Sequence, residues 1–533
     1  MAADKPAGLT THTSLNEIDK KKSWVDQRDG FMEWLEPRVG RKLFPVHRLD
    51  RETTGVLLFA TNREDAEIAR ELFEDRQIAK TYLFITDRSH RETSFEAESF
   101  IERVGNEYVS KKQGTPNAKT RFEKVSSYSR FTLWRAFPET GKPHQIRLHA
   151  EDAAISILGD TVHGGSEYPT LCLHSAELQL PSIDATTAHD TPPETFTSPA
   201  PIYFRDLSLL EDRRLVRWLA AVDRRERMLV STNRSLATIE TLRWIHSEGD
   251  PLRIEQLGPV INLNWFSEKV PNAAEWISIE KLLNLKNWNN WYLQLRTDRG
   301  KDPITAHALT SEPPPPDRWT AKENSMCFEF RRETGLSPGL FLDQRKNREW
   351  IAAETNGDSQ VLNLFCYTAG FSIAAAKAGA KKVVSVDVSK PFLEWSKKNF
   401  ELNGLDTASH EFRAMDAGEY LAWALKKDLK FDLIVCDPPS FARTNTKNKS
   451  SVFRIEVEFD SLLAACLKIL NDGGKILYST NFEQWSLDDF AARAQAIAKK
   501  IKPQARLRAT PSGDLDFELP RSQRHMKSLI IEV

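Results

Sequence analysis

The chain has 533 residues, of which 40% are hydrophobic and 28% are charged, and its formal net charge at pH 7 is −1. These values are typical of a soluble globular protein. They give no sign of a strongly basic nucleic-acid-binding domain, although a balanced total can hide local basic faces. At roughly 150 residues per domain, the length predicts about three or four domains.

The composition also argues against a membrane, secreted or zinc protein. No apolar run approaches the roughly 18 residues that a membrane span needs. The first residues, MAADKPAGL, contain no apolar stretch, so no export signal is expected. The five cysteines form no CxxC pair, which favours reduced thiols in the cytoplasm and no metal site.

The first notable feature along the chain is FPVHRLDRETTGVLLFA (44–60), where ionisable residues directly precede an apolar run. The run 56–59 predicts a strand that enters a core. The ionisable residues are His47, Arg48, Asp50 and Arg51. A carboxylate near apolar neighbours stays ionised only beside a cation. The pattern therefore predicts either a structural ion pair at a sheet corner or an active site.

A second basic cluster lies in TGKPHQIRLHA (140–150) and could supply that cation. Pro143 is expected in the first turn of a helix, because its fixed φ suits that position. The helix would carry Arg147 and His149.

These N-terminal motifs resemble the RluA-type pseudouridine synthases, which act on ribosomal and transfer RNA. HRLDRETTGVLLFA (47–60) is similar to the signature of that family, and further motifs follow in family order over about residues 1–205. They are DKPAGL (4–9), KTY (80–82), TGKPHQIRLHA (140–150), GDTVHGG (159–165) and LCLHSAEL (171–178). The resemblance implies a mixed, mainly antiparallel sheet with helices.

The resemblance also implies roles for four residues. Asp50 would be the catalytic carboxylate and Arg147 its buried ion partner. Tyr82 would pack on the target uracil, and Arg48 would help to hold the place of the flipped nucleotide. Uridine must detach from its ribose, rotate and rejoin through carbon, which needs a nucleophile or base beside C1′ and an unstacked base. No metal or cofactor is expected for this reaction.

Two segments without a helix or strand pattern mark the start and the end of the next part of the chain. Residues 182–203, rich in Thr, Pro and Ser, predict a linker or a surface meander. SEPPPPDR (311–318) predicts a stiff boundary. Between these two segments, a helical pattern is followed by strand-like stretches such as RIEQLGPVINLNWF (253–266). An aromatic group there could stack on bases or pack in a core; its members are Trp265, Trp288, Trp291 and Tyr292.

From about residue 330, strands and helices alternate, which predicts a parallel, doubly wound sheet. Strands are expected in SQVLNLFCYTAGF (359–371), KKVVSVDVS (381–389), FDLIVCDPPSF (431–441) and KILYSTN (475–481). Helices are expected in SIAAAKAGA (372–380), PFLEWSKKNFELNG (391–404) and DSLLAACLKIL (460–470).

Polar groups gather at the predicted carboxyl edge of this sheet. A small-residue turn after the first strand lets a ligand approach N–H groups at a helix start. Asp387, Asp416 and Asp437 end the next three strands. Any one of these acids could be a helix cap or a solvated loop end, but three in register with the turn favour a cofactor cleft. The candidate cofactor-binding residues are Asn363, Phe365, Tyr367, Gly370, Asp387, Asp416 and Asp437.

The C-terminal motifs resemble class I S-adenosylmethionine methyltransferases of the large-subunit rRNA type. They are GLFLDQRKNREWI (339–351), LNLFCYTAGF (362–371), VDVSKPFLEWSKKNFELNGL (386–405), DPPSF (437–441) and RSQRHMKSLIIEV (521–533). The chain is most similar to the RlmK branch, which methylates guanine N7 and has a small domain ahead of the catalytic one. The resemblance implies S-adenosylmethionine as cofactor and a catalytic position for Asp437. Ala369 stands where a glycine is usual, which should narrow the loop's freedom.

The cysteines bear on which atom is methylated. Methylation of a pyrimidine carbon needs a thiolate, and the positions that would hold it carry Ser440 and YSTN (478–481). Cys366 and Cys436 are expected in the core. A ring nitrogen such as guanine N7 needs only alignment with the methyl sulfonium. The basic residues Arg521, Arg524, His525 and Lys527 could contact phosphates or form a solvated face.

Together the motifs predict a bifunctional rRNA modification enzyme of multidomain α/β and α+β architecture. The predicted domains are a pseudouridine synthase domain (1–205), an intermediate RNA-binding or accessory domain (213–330) and a Rossmann-like methyltransferase domain (331–533). The expected partner is ribosomal RNA, foremost that of the large subunit, and no membrane. The alternatives are a tRNA or small-subunit RNA target, or a ribosome-assembly factor whose pseudouridine synthase domain only binds RNA.

Overall fold

The computed structural model of the protein describes residues 1–13, 30–181, 193–232, 240–296, 309–332, 334, 337–446, 449–510, 516–517 and 526–533. In this part of the chain, no helix is both long and apolar enough to cross a bilayer. Across the same residues, no group of three or more His, Cys, Asp or Glu side chains is arranged to hold a metal ion.

The N-terminal part folds into a mixed, mainly antiparallel sheet with helices packed on it. The strands are β1 (Ala2–Lys5), β2 (Phe44–Pro45), β3 (Thr54–Ala60), β4 (Ala79–Thr86), β5 (Ser94–Val104), β6 (Glu107–Lys111), β7 (Ala118–Tyr128), β8 (Phe131–Pro138), β9 (Leu173–Leu180) and β10 (Glu194–Thr197). The helices are α1 (Phe31–Val39), α2 (Arg63–Glu74), α3 (Gln145–Asp152) and α4 (Ile202–Arg205). The order across the sheet is β1-β3-β9-β4-β8-β7-β5-β6, with β2 paired to β3 and β10 to β9.

Strand β3 confirms the buried strand predicted for 56–59. All seven of its residues are buried. Leu57 and Phe59 belong to one core cluster, and Val56 and Leu58 to another on the opposite face, as the two-residue period of a strand requires. Gly55 must be glycine, because a Cβ there would lie 2.1 Å from the Ser175 carbonyl oxygen. The ionisable cluster therefore precedes a strand that is covered on both faces.

Two sequence predictions for this part are wrong in detail. Pro143 lies ahead of α3, because the left-handed backbone of His144, at φ 57°, makes Gln145 the first helical residue. The helix still carries Arg147 and His149, as predicted. The predicted linker 182–203 contains β10, whose β-branched and aromatic residues pair with β9. Residues 182–192 lie outside the described part.

The middle part is a five-stranded sheet with two helices on one face. Its elements are α5 (Arg213–Ser231), β11 (Thr241–Ile245), β12 (Leu252–Leu257), β13 (Val260–Trp265), α6 (Ala273–Leu285), β14 (Trp291–Leu295) and β15 (Leu309–Thr310), and the strands lie in chain order. Trp265 and Tyr292 are fully buried, and Trp288 and Trp291 are partly buried against the core. This aromatic group therefore packs in the interior.

The C-terminal part confirms the predicted doubly wound sheet. Its elements are β16 (Arg318–Glu323), β17 (Met326–Arg331), α7 (Arg345–Glu354), β18 (Gln360–Leu364), α8 (Gly370–Lys377), β19 (Lys382–Asp387), α9 (Lys390–Leu402), β20 (Glu411–Ala414), α10 (Ala417–Lys426), β21 (Phe431–Cys436), β22 (Phe441–Thr446), β23 (Lys449–Arg454), α11 (Ile455–Lys468), β24 (Leu470–Thr480), α12 (Leu487–Ile501), β25 (Arg506–Ala509) and β26 (Lys527–Glu532). The sheet order is β20-β19-β18-β21-β24-β26-β25, with β20 to β24 parallel and β26 antiparallel to both neighbours.

The basic C-terminal residues are only partly within the described part of the chain. Lys527 lies buried in β26, so it does not belong to an exposed basic face. Arg521, Arg524 and His525 lie outside the described residues.

Helix α5 contacts both ends of the chain. Arg227 Nη1 donates to Asp4 Oδ1 in β1, and its Nε donates to Asp223 Oδ2 on the same helix. Arg225 Nη2 donates to the backbone oxygen of Asp516, which belongs to the C-terminal part. Both guanidinium groups are almost completely buried. The helix therefore joins the N-terminal and C-terminal sheets through buried cations.

Candidate active sites

Asp50 and Arg147, which are distant in sequence, meet in the N-terminal part. Arg147 Nη1 lies 3.1 Å from Asp50 Oδ2, while its Nε and Nη2 donate to Asp160 over 2.6 and 2.7 Å. Burial disfavours the charge of Arg147, but its contacts with Asp160 and Asp50 raise its pKa above the ordinary value. The guanidinium therefore stays charged and fixes one oxygen of Asp50. Sequence reasoning did not single out Asp160, although the GDTVHGG motif contains it.

A buried lysine fixes the backbone of the loop that carries Asp50. Lys5 Nζ donates to the carbonyl oxygens of Pro6, Arg51 and Thr53 over 2.9–3.0 Å. Burial lowers the pKa of Lys5 to about 7, yet three acceptors match the three N–H groups of an ammonium ion. Because the carbonyls of Arg51 and Thr53 come just after Asp50 in the chain, Lys5 fixes the backbone of this loop. Sequence reasoning assigned no role to Lys5, although the DKPAGL motif contains it.

Tyr82 and Arg48 interact electrostatically with the groups around Asp50. Tyr82 lies in β4 and is half-buried, with its ring against two of the core clusters. Burial, and to a smaller extent the charge of Asp50, raises the pKa of Tyr82 to about 12, so the phenol stays neutral. Arg48 is exposed, and its charge acts on His144 beside Asp50. The sequence-predicted residues of this site are therefore brought together.

The other ionisable residues of the opening cluster support the fold. His47 Nε2 accepts a hydrogen bond from the Leu58 backbone, and its ring stacks on Phe73 at 4.6 Å. Burial lowers the pKa of His47 to about 3, so it is a neutral acceptor. Arg51 Nε donates to the Gly8 carbonyl oxygen. These contacts attach the loop to its neighbours.

In the C-terminal part, a strained turn links β18 to α8. Phe365, Tyr367 and Ala369 have φ values of 57°, 51° and 68°. Residues with a side chain rarely adopt this left-handed region, and each costs on the order of 1–3 kcal/mol. Ala369 therefore carries a strain that glycine would avoid. The surrounding structure must hold the turn in place.

Asp387, at the end of β19, holds this turn. Its Oδ2 accepts a hydrogen bond from the Tyr367 backbone over 3.0 Å, and its Oδ1 accepts one from the Ser389 backbone over 2.9 Å. Burial raises the pKa of Asp387. Each carboxylate oxygen can accept more than one hydrogen bond, so both retain capacity for a hydroxyl group. These two acceptor oxygens therefore fit the hydroxyl groups of a ribose beside the turn.

The other candidate cofactor residues have different surroundings. Asn363 Nδ2 donates to Ser372 Oγ in α8, and its Oδ1 is buried without a hydrogen-bond partner among the described residues. Gly370 begins α8, where an added Cβ would lie 3.1 Å from Leu340 Cδ1. Phe365 packs against Phe453. Asp416 caps α10, accepting from the backbones of the second and third helical residues.

Asp437 follows β21 and meets a residue from the GLFLDQR motif. Gln344 Nε2 donates to Asp437 Oδ2 over 2.9 Å. Burial, with a further effect from the charge of Asp343, raises the pKa of Asp437 to about 7. Asp343 Oδ1 is itself buried without a hydrogen-bond partner in the part of the chain that the structure covers. Sequence reasoning did not assign a role to Gln344, although the quoted motif includes it.

The cysteines confirm their predicted core positions. Cys366 and Cys436 are buried, and burial raises the pKa of both thiols well above the ordinary value. At the position after the Asp-Pro-Pro motif, Ser440 Oγ donates to Asn481 Oδ1 over 2.7 Å. Neither predicted nucleophile position therefore offers a thiolate.

Comparison with known protein families agrees with both motif resemblances. Residues 1–152 match the family described as RNA pseudouridylate synthase. Residues 260–506 match the family described as S-adenosylmethionine-dependent methyltransferase. The chain joins an RNA pseudouridylate synthase domain to an S-adenosylmethionine-dependent methyltransferase domain. The two families match the two resemblances found in the motifs, and the mixed α/β architecture is that of both domains.

The curated relatives of this chain are named as ribosomal RNA methyltransferases. Ribosomal RNA large subunit methyltransferase K of Neisseria meningitidis serogroup B is 38% identical over 189 residues, which are 36% of this chain and 52% of that protein. Ribosomal RNA large subunit methyltransferase K/L of Saccharophagus degradans is 44% identical over 154 residues, which are 29% of this chain and 20% of that protein. The chain thus spans about half the length of these relatives, or less.

One solved structure, SMU.776 complexed with SAH, covers 60% of this chain and 82% of its own, with 25% identity and a TM-score of 0.48.

The first prediction concerns Asp387. Asp387→Ala should weaken S-adenosylmethionine binding by roughly tenfold or more, because a lost charge-assisted hydrogen-bond pair costs about 1.5–3 kcal/mol. Calorimetric titration of the purified chain measures the change. Asp406→Ala is the matched control, since Asp406 also accepts from nearby backbone groups but lies at a short helical turn after α9. Equal affinities for the wild type and Asp387→Ala would contradict the assignment.

The second prediction follows from the pKa of Asp437. Because the folded-state pKa of about 7 lies above the ordinary value of 3.8, the folded protein holds this proton more tightly than the unfolded chain. The associated stability is complete below about pH 4 and is lost as the pH rises through 7. Asp437→Asn cannot ionise, so its melting temperature should gain on the wild type between pH 5 and pH 8.

Asp428→Asn is the control, since the Asp428 side chain is 90% exposed. The difference in melting temperature between this variant and the wild type should be the same at both pH values. Thermal unfolding scans at both pH values measure these differences. A gap for Asp437→Asn that is the same at pH 5 and pH 8 would show that Asp437 ionises normally.

Proposed function

We propose that this chain modifies ribosomal RNA in the cytoplasm at two sites, isomerising uridine to pseudouridine and methylating guanine. The observation that carries the proposal is the Asp50–Arg147 contact in a chain whose C-terminal sheet also carries Asp387 and Asp437 at its carboxyl edge. A relic that only bound RNA would have no need to keep a carboxylate paired with a buried guanidinium. The proposed domains remain 1–205, 213–330 and 331–533.

In the pseudouridylate synthase domain, Asp50 is the proposed catalytic carboxylate. Arg147 holds Asp50 Oδ2, which leaves Oδ1 directed away from that contact. Isomerisation needs such a nucleophile or base beside C1′ of a nucleotide taken out of its stack. The neutral ring of Tyr82 provides an apolar wall for the loose uracil, and exposed Arg48 can hold the emptied place in the RNA. No residue in this scheme requires a cofactor.

The third prediction tests the independence of the two sites. Asp50→Asn should abolish pseudouridine formation and leave methylation within a few-fold, because the methyltransferase cleft has its own residues. Tritium release from C5-labelled uridine measures the first reaction, and transfer from labelled S-adenosylmethionine measures the second. Glu52→Gln is the matched control, an exposed carboxylate two residues away. Isomerisation that survives Asp50→Asn would refute the role of Asp50.

In the methyltransferase domain, the residues that would hold S-adenosylmethionine are Asp387 and the backbone of the 365–370 turn. The cofactor supplies an electrophilic methyl group. Asp387 would accept from the ribose hydroxyls, and Asp437 with Gln344 would border the reacting groups. Phe441 and Phe341 are 47% and 44% exposed, which is high for aromatic rings and suits stacking on a target base.

We propose guanine N7 in large-subunit rRNA as the methylated atom. The resemblance to the RlmK branch supports guanine N7, and the names of the matched relatives support large-subunit rRNA as the substrate. Positioning suffices for a ring nitrogen, because its lone pair needs no proton removed. The covalent route to a pyrimidine carbon is disfavoured because Ser440 and Thr480 are hydroxyl residues and the nearby thiols are buried.

The middle domain is proposed to help bind RNA through surfaces other than the inner face of its sheet. That inner face carries Arg243, Glu255, Asn262 and Tyr292 side by side in register on four strands, and the last three are buried. Gln294, also buried on this face, donates to the backbone of Arg332, which follows β17. The charge of Arg296 acts on Tyr367 in the turn before α8. This face therefore packs toward the C-terminal part of the chain and is covered from RNA.

The fourth prediction identifies the methylated atom. Large-subunit rRNA modified by the enzyme should be cut by borohydride and aniline treatment, which cleaves at 7-methylguanine. Cys366→Ser and Cys436→Ser should both retain methyl transfer, since neither thiol takes part. Small-subunit RNA and tRNA serve as competing substrates and should incorporate less methyl label. Full incorporation without cleavage, or an adduct trapped by 5-fluorocytidine, would overturn the N7 assignment.

A further inference from the structure

Two histidines beside Asp50 are not used by the scheme above. His144 is the N-cap of α3, and His163 lies in the short helical turn 161–163 of the GDTVHGG motif. His163 is 7% exposed and His144 31% exposed. Two imidazoles next to the proposed catalytic carboxylate, one of them buried, need a chemical or structural reason.

The ring nitrogens form a directed chain. His144 Nε2 lies 3.9 Å from Asp50 Oδ1, the oxygen that Arg147 does not hold. His144 Nδ1 lies 3.0 Å from His163 Nε2. His163 Nδ1 lies 3.5 Å from Glu151 Oε2, and the Glu151 side chain is 44% exposed. With a proton on Nδ1 of both rings, each Nε2 accepts from the Asp50 side and each Nδ1–H donates toward solvent.

Backbone contacts fix the positions of His163 and Glu151 in this chain of side chains. Asp160 Oδ1 accepts from the His163 backbone while the same carboxylate binds Arg147, so one residue positions both the cation and the second histidine. Gly164 adopts φ 71°, and a Cβ there would lie 3.3 Å from Glu151 Oε1. The glycine thus lets the 161–163 turn approach Glu151.

We propose that His144, His163 and Glu151 form a proton relay that carries the C5 proton of the target uridine from Asp50 to solvent. This inference rests on the proposed pseudouridine synthase function and extends it. His163 and Glu151 act through Asp50 and His144, so they are positioning and relay residues.

The step balances as an isomerisation. Once C5 has bonded to C1′, the C5–H bond breaks and its electron pair forms the C5–C6 double bond. The electron pair of the C6–N1 double bond in that intermediate goes to N1, which takes a proton from water, so one proton leaves the uracil ring and one is added to it. Asp50 Oδ1 accepts the C5 proton and passes it to His144 Nε2; His144 Nδ1–H passes to His163, and His163 Nδ1–H passes to Glu151. The 3.9 Å gap is too long for a hydrogen bond in the free enzyme, but such contacts often shorten only when substrate binds.

Charged groups around the pair are consistent with neutral, proton-passing rings. Arg147 lies beside both histidines and Arg48 beside His144, and each disfavours a positive imidazole. Asp160 and Asp50 act in the opposite sense on both. Burial is the largest influence and lowers the pKa of each ring, so neither histidine retains the proton it passes.

The fifth prediction tests the relay with transcripts of large-subunit rRNA that carry either hydrogen or deuterium at uridine C5. Glu151→Gln keeps the side-chain shape but cannot take up the proton, and His163→Ala removes the second ring. Each should slow pseudouridine formation by about tenfold or more and make it slower still with deuterium. Imidazole in the buffer should restore much of the rate of His163→Ala. Asp152→Asn, on the same helix and bonded to Ser110, is the matched control and should behave as the wild type.

The outcomes separate the relay from the function on which it rests. A wild-type enzyme that leaves uridine unchanged in every RNA overturns the proposed function and the relay with it. Active wild type with slow variants that show no isotope effect and no imidazole rescue would assign the histidines to structure alone. Unchanged rates in Glu151→Gln and His163→Ala would also overturn the relay.

Discussion

A carboxylate removed from water needs a cation beside it or loses its charge readily, and this constraint distinguishes the two candidate sites. In the pseudouridylate synthase domain, the largely buried Arg147 lies between Asp50 and Asp160, so the Asp50 carboxylate is paired. In the methyltransferase domain, Asp387 accepts from backbone groups and Asp437 from a neutral amide. The first site thus pairs its carboxylate with a cation, while the second holds its carboxylates with neutral donors.

The same constraint explains how the parts of the chain are joined. Arg227 on α5 pairs with Asp4 of the first strand, and Arg345 on α7 pairs with Glu323 and Asp516. A buried charge left without its partner typically costs about 3–5 kcal/mol. Separation of the sheets would expose or orphan several such charges. Buried ion pairs therefore favour one fixed arrangement of these parts more than they add to the net stability.

The sequence predicted what local pattern and motif can encode. The buried strand β3, the parallel C-terminal sheet and the meeting of Asp50 with Arg147 follow from apolar periodicity and motif resemblance. The start of α3 does not, because it depends on the left-handed backbone of His144, which no residue pattern announces. Asp160 and Lys5 stood inside quoted motifs, but their roles became visible only as contacts between segments distant in sequence.

Asp416 shows a second reason for the limit. Its place after a strand marks the carboxyl edge of the sheet, yet the same place is the N-cap of α10, and its Oδ1 accepts from two backbone N–H groups there. A carboxylate after a strand and before a helix suits capping and ligand binding equally well. Only the hydrogen bonds of the folded chain show which demand it meets.

The strained turn before α8 is already formed in the free protein, which bears on the free energy of the proposed cofactor binding. Three residues with side chains adopt left-handed conformations there, and the carboxylate of Asp387 holds the central one, Tyr367, through its backbone. The cost of this shape is included in the stability of the folded chain, because the turn is formed before any ligand arrives. A cofactor bound here as proposed would meet a backbone turn and a carboxylate that need no rearrangement, which spares binding the entropy of ordering them. The turn thus lowers the stability of the fold but keeps the proposed cofactor site in its binding conformation.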